Sequence, residues 1–81
     1  MSTAERVVSM ANQIARNIAV QAEPDPAAAT AGHMRAFWDR RMKALLAAHL
    51  AAGGEGLDPV AREAAALLAA ERHAAPAASG D

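Results

Sequence analysis

The sequence predicts an all-α fold: a small domain of three or four helices with short loops and a disordered C-terminal tail. Three observations carry that prediction. Alanine supplies 25 of the 81 residues, and alanine loses no side-chain entropy on entering a helix. Strand signals are nearly absent, with no tyrosine, few β-branched residues and no alternating apolar–polar stretch. Helix breakers fall at Glu23-Pro24-Asp25-Pro26, at Trp38-Asp39, at Gly53-Gly54-Glu55-Gly56 and after Ala75-Pro76. The expected organisation is one domain over residues 1–73 and a flexible tail over 74–81, where Pro76, Ser79 and Gly80 lie.

The first helix is expected from about Thr3 to Gln21. Ser2 and Glu5 have the spacing of a capping box, in which each side chain satisfies a free backbone donor of the other. At 100° per residue, Val7, Val8, Met10, Ala11, Ile14, Ala15 and Ile18 share one half of the helix, and Glu5, Arg6, Ser9, Asn12, Gln13 and Arg16 share the other. A second helix starts with Asp25 as N-cap and Pro26 in the first turn, where a missing N–H costs nothing. It runs to about Trp38 and groups Thr30, Ala31, Met34, Phe37 and Trp38, with Gly32 inside it. Asp39 caps a third helix that Gly53 stops, with a stripe of Met42, Leu45, Leu46, His49 and Leu50. Asp58-Pro59 opens a fourth, expected to end near His73, whose stripe of Val60, Ala64, Leu67 and Leu68 is mostly small. Such a helix is expected to need a docking surface for its stability. The glycine-rich segment reads as a flexible connection.

Charge and length exclude several function classes. An 81-residue chain is too short for a multidomain enzyme. A core of this size rarely supplies more than about 3–5 kcal/mol, so a partner protein is the expected stabiliser. Cysteine is absent, which removes disulfides, thiol nucleophiles and thiolate metal sites. The net charge of −1 is unlike that of a general nucleic-acid binder. It is unevenly spread: Arg35, Arg40, Arg41 and Lys43 stand against Asp39 alone, a local +3 that leaves −4 to the rest. No apolar run reaches the roughly 20 residues of a membrane span. The start of the chain lacks the basic and apolar regions of a signal peptide. The expected compartment is the cytoplasm.

No catalytic constellation is visible in the spacing. The segment Gly53-Gly54-Glu55-Gly56 lacks the lysine and hydroxyl of a phosphate-binding loop. His33, His49 and His73 fall on three different predicted helices without metal-ligand spacing. His49, within a leucine stripe, reads as a hydrogen-bonded core or interface histidine. No residue is assigned a catalytic, cofactor-binding or metal-binding role.

The chemistry is concentrated in His33-Met-Arg-Ala-Phe-Trp-Asp-Arg-Arg-Met42, which holds both aromatic rings of the tryptophan and phenylalanine type. Tryptophan and arginine are enriched at interface hot spots. The expected partner interface is His33, Met34, Arg35, Phe37, Trp38, Arg40 and Arg41. Met34, Phe37 and Trp38 would supply buried contact, while Arg35, Arg40 and Arg41 would select an acidic surface. Adjacent helical residues point about 100° apart, so both rings cannot fill one narrow core. Phe37 is favoured as the core ring and Trp38 as the interface ring.

Three segments, Met10-Ala-Asn-Gln-Ile-Ala-Arg16, His33–Met42 and Gly53-Gly-Glu-Gly-Leu-Asp-Pro59, together resemble the delta subunit of the bacterial NAD-dependent, molybdenum-containing formate dehydrogenases. The likeness spans roughly residues 5–65, and His-x-x-x-Phe-Trp-Asp-x-Arg-Met is its most specific part. The family often has proline after the Trp-Asp pair, where this chain has Arg40, so Asp39 alone must end one helix and cap the next. The resemblance implies a non-catalytic accessory subunit that docks on the catalytic alpha subunit, within a complex with beta and gamma subunits, and supports assembly, cofactor insertion or stability. It also implies that bis-molybdopterin guanine dinucleotide, iron–sulfur clusters, FMN and NAD belong to the other subunits, with none bound by this chain. Two alternatives are a small helical nucleic-acid-binding regulator and a self-associating helical protein.

Overall fold

A computed structural model describes the backbone of residues 2–79 and the side chains of residues 2–71. Among the described residues the chain forms four helices and no strand: α1 (Thr3–Ala19), α2 (Pro26–Phe37), α3 (Arg40–Ala51) and α4 (Pro59–Ser79). The helix starts follow the sequence closely. Ser2 N–H donates to Glu5 Oε1 at 2.8 Å and Glu5 N–H to Ser2 Oγ at 3.1 Å, closing the capping box. Asp25 accepts from Ala28 N–H at 3.2 Å, and Asp39 accepts from Met42 N–H at 2.8 Å. Asp39 thus caps α3 without help from a following proline.

Helix α4 is the hub of the packing. It lies most extensively against α2, then against α3 and α1. Its buried face is Ala61, Ala64, Ala65 and Leu68, preceded by Leu57 in the loop. Of the expected stripe, Ala64 and Leu68 are buried, whereas Val60 is only half-buried and Leu67 is exposed, their places being taken by Ala61 and Ala65. Alanine carries little hydropathy, so it hides a buried face in the sequence, but its small side chain lets backbones approach. Ala11, Ala31, Ala61, Ala64 and Ala65 are all fully buried together with Met34 and Leu46.

On α1 the buried seam is Val7, Ala11, Ala15 and Ile18, and Met10 sits at its exposed edge. On α2 it is Ala27, Thr30, Ala31 and Met34. Among the described residues the Thr30 hydroxyl has no hydrogen-bond partner although the residue is fully buried. The sequence ended α4 near His73 and assigned 74–81 to a tail. The helical backbone reaches Ser79, through a stretch with four alanines, and the last two residues lie outside those described.

Candidate partner interface

The α2–α3 corner gathers most of the residues that the sequence singled out, and it sorts them into two groups. Helix α2 ends at Phe37, and Trp38 takes an extended conformation with φ −90° and ψ 141°. Its N–H still donates to Met34 O at 2.8 Å. Trp38 therefore continues the core line of Ala27, Ala31 and Met34 at helical spacing and is 7 % exposed, whereas Phe37 is 75 % exposed. The two rings occupy the reverse of their expected places. Trp38 stays on the buried line although its own backbone is extended, and Phe37 falls beside that line.

Met34 is also fully buried, so Met34 and Trp38 form the floor of this corner and not its outer surface. Arg35 is exposed but engaged. Its Nε donates to Glu71 Oε1 at 2.8 Å, and its Nη2 donates to Glu71 Oε2. This fork-to-fork pair ties α2 to α4. The hydrogen bond from Arg35 and its charge hold the Glu71 carboxyl below its usual range, and Lys43 adds to the effect. The same pairing raises the Arg35 guanidinium above its ordinary value.

The remaining residues face outward. His33 lies one helical turn before Phe37, with ring centroids 4.8 Å apart and planes tilted by 39°. Arg40 and Arg41 are exposed in the first turn of α3, and among the described residues neither enters an ion pair. Phenylalanine and arginine are among the residue types enriched at protein interfaces.

A second polar cluster was not anticipated. The Gly53–Asp58 loop, expected as a flexible connection, is tied to three helices. Asn12 Nδ2 donates to Gly56 O at 2.8 Å, and Asp58 N–H donates to Asn12 Oδ1 at 2.9 Å. His49 Nε2 donates to Glu55 O at 2.7 Å, so His49 is the hydrogen-bonded histidine its position suggested. Arg62 donates from Nη1 to Gly53 O at 3.1 Å and from Nη2 to Gly54 O at 3.0 Å. Gly54 has φ +66°, and a Cβ there would stand 2.8 Å from Arg62 Nη1. Arg16 approaches Asp58 at 3.8 Å, beside an open cleft of about 490 Å³ lined by Ser9, Asn12, His49 and Glu55 among others.

Asn12 had been placed on the solvent face of α1. Its amide offers a donor and an acceptor on one planar group, which suits a loop presenting one carbonyl and one N–H. The only sequence signal for this was that the first and third of the resembling segments occur together. Among the described residues, no three His, Asp or Glu side chains gather in a way that could hold a metal ion. With no cysteine in the chain, iron–sulfur ligation of the usual kind does not fit these residues.

Fold and site together define a small all-helical protein whose exposed aromatic and cationic groups meet at one helix corner. Among the described residues no helix is long and apolar enough to cross a membrane. Residues 6–65 match the family described as NADH-dependant formate dehydrogenase delta subunit FdsD, and the chain belongs to that family. Neither a curated protein nor a solved structure is similar enough to match.

Proposed function

We propose that this chain acts as a non-catalytic accessory subunit of an NAD-dependent formate dehydrogenase, docking on the molybdenum-containing alpha subunit within a complex that also holds beta and gamma subunits. The observation that carries the reading is the family match over residues 6–65. It is supported by the absence of cysteine and by the outward-facing aromatic and basic residues of the α2–α3 corner. In this reading bis-molybdopterin guanine dinucleotide, the iron–sulfur clusters, FMN and NAD reside in the other subunits, and the cytoplasm is the compartment.

The mechanism is mass action. A chain that binds the folded alpha subunit and not its unfolded form shifts the equilibrium toward the folded state, by about 2.7 kcal/mol at a free concentration 100 times Kd. Such a shift prolongs the folded state during cofactor insertion and assembly. The test is affinity capture of the full chain from native lysate at moderate salt, with a parallel strain lacking it. Stoichiometric recovery of the molybdenum-containing subunit, and lower molybdenum content or complex stability in the deletion, are expected. A chain recovered alone, with an unchanged complex in the deletion strain, refutes the proposal. Retention on heparin with a steep salt dependence would favour the nucleic-acid reading instead.

A further inference from the structure

We infer that Phe37 is the aromatic anchor of docking: a knob at the α2–α3 corner that enters an apolar pocket rimmed by carboxylates on the alpha subunit, with Arg40 and Arg41 engaging the rim. The inference rests on the proposed function above and names the chemistry of the surface that function needs.

Four observations support it. First, Phe37 is 75 % exposed, and burying a side chain of this kind is among the larger apolar gains open to a surface residue. Second, the knob is held in place before any partner arrives. Trp38, the next residue, is fixed in the core, Asp39 caps α3 through Met42 N–H, and the ring already packs on His33. A side chain positioned in this way loses less freedom on binding.

Third, the charge around the knob has one sign. The Arg35 charge is matched by Glu71, and Arg40, Arg41 and Lys43 then stand against Asp39 alone, leaving +2. That excess calls for carboxylates opposite it and disfavours a second copy of the same corner, which would bring like charges together. Fourth, the structure removes the other anchors that the sequence offered at this corner. Trp38 and Met34 are committed to the core, and Arg35 is committed to Glu71.

The experiment titrates the full chain and its variants against the formate dehydrogenase complex prepared without it, following binding by calorimetry at two salt concentrations. Phe37→Ala is expected to weaken binding about 10- to 100-fold, with an unchanged circular dichroism spectrum and melting temperature. The double variant Arg40→Glu/Arg41→Glu is expected to weaken binding and to flatten its salt dependence. The double variant Arg35→Gln/Glu71→Gln, which removes both members of the pair and keeps the corner at +2, is expected to leave affinity unchanged, and Trp38→Ala to lower the melting temperature.

If the unaltered chain binds and Phe37→Ala binds equally well, the anchor lies elsewhere and the inference falls while the proposed function stands. If the unaltered chain does not bind the complex at all, the proposed function itself falls. Sedimentation showing a salt-resistant homodimer that Phe37→Ala dissolves would overturn the assignment of the partner.

Discussion

Replacing Thr30 with valine exchanges a buried hydroxyl for a methyl group of nearly the same volume. Thr30 is completely enclosed in the α2 seam, and among the described residues its Oγ1 has no hydrogen-bond partner. Leaving a buried polar group unsatisfied costs about 1–3 kcal/mol. Both residues are β-branched and differ little in helix propensity, so the exchange isolates the hydroxyl. Thr30→Val is therefore expected to stabilise the domain by about 1–2 kcal/mol. With a urea slope of about 1 kcal/mol/M for a chain this small, the unfolding midpoint should rise by about 1–2 M.

Trp38, the one tryptophan and a core residue, supplies a fluorescence signal for the titration. Thr30→Ser is the control: it keeps the hydroxyl, loses the methyl and should be less stable than the unaltered chain. A valine variant that is less stable than threonine refutes the reasoning. It would mean that Oγ1 bonds a carbonyl in the preceding turn of α2 in solution, as helical threonines do elsewhere.

Gly32→Ala should raise stability by about 0.5–1 kcal/mol in a thermal melt, because a Cβ there meets only Arg35 Nη1, at an ordinary 3.6 Å. Asn12→Ala removes both hydrogen bonds that join α1 to the Gly53–Asp58 loop, and should cost about 1–3 kcal/mol by chemical denaturation. The Arg35–Glu71 pair predicts a pH dependence with a definite sign. Because the native Glu71 carboxyl is held low, the unfolded chain binds more protons in the acid range. The stabilisation is present above the ordinary carboxylate pKa and disappears as pH falls through the lowered native value. Glu71→Gln should abolish that component of the stability profile while leaving the profile near neutrality flat.

Much of the fold was legible because helix starts are written in local chemistry. Ser2 with Glu5, Asp25 with Pro26, and Asp39 each mark a start that the backbone then uses. The α4 face was less legible, since Ala61 and Ala65 bury themselves through small size and not through hydropathy. The candidate interface was half legible. Composition located the corner, but choosing between Phe37 and Trp38 needed the buried line of α2. The helical spacing from Ala31 to Met34 to Trp38 held that information, since it puts Trp38 on the buried line and Phe37 beside it. Glu71 as the partner of Arg35, and Asn12 and Arg62 as holders of the loop, are contacts across long or folded-back stretches. No local pattern announces them.

The place of α4 in the packing also bears on the order in which the domain can form. Helix α2 makes its most extensive contact with α4, and Asn12 near the start of the chain waits for Gly56 and Asp58. A nascent chain that has emerged only through α3 lacks the largest surface that packs on α2, and its loop-holding amide has no loop. Contacts of such wide sequence separation close late, after the entropy of the intervening chain has been overcome. Folding of this domain thus waits for α4. Until α4 is free, α1 and α2 leave part of their alanine seams exposed to water.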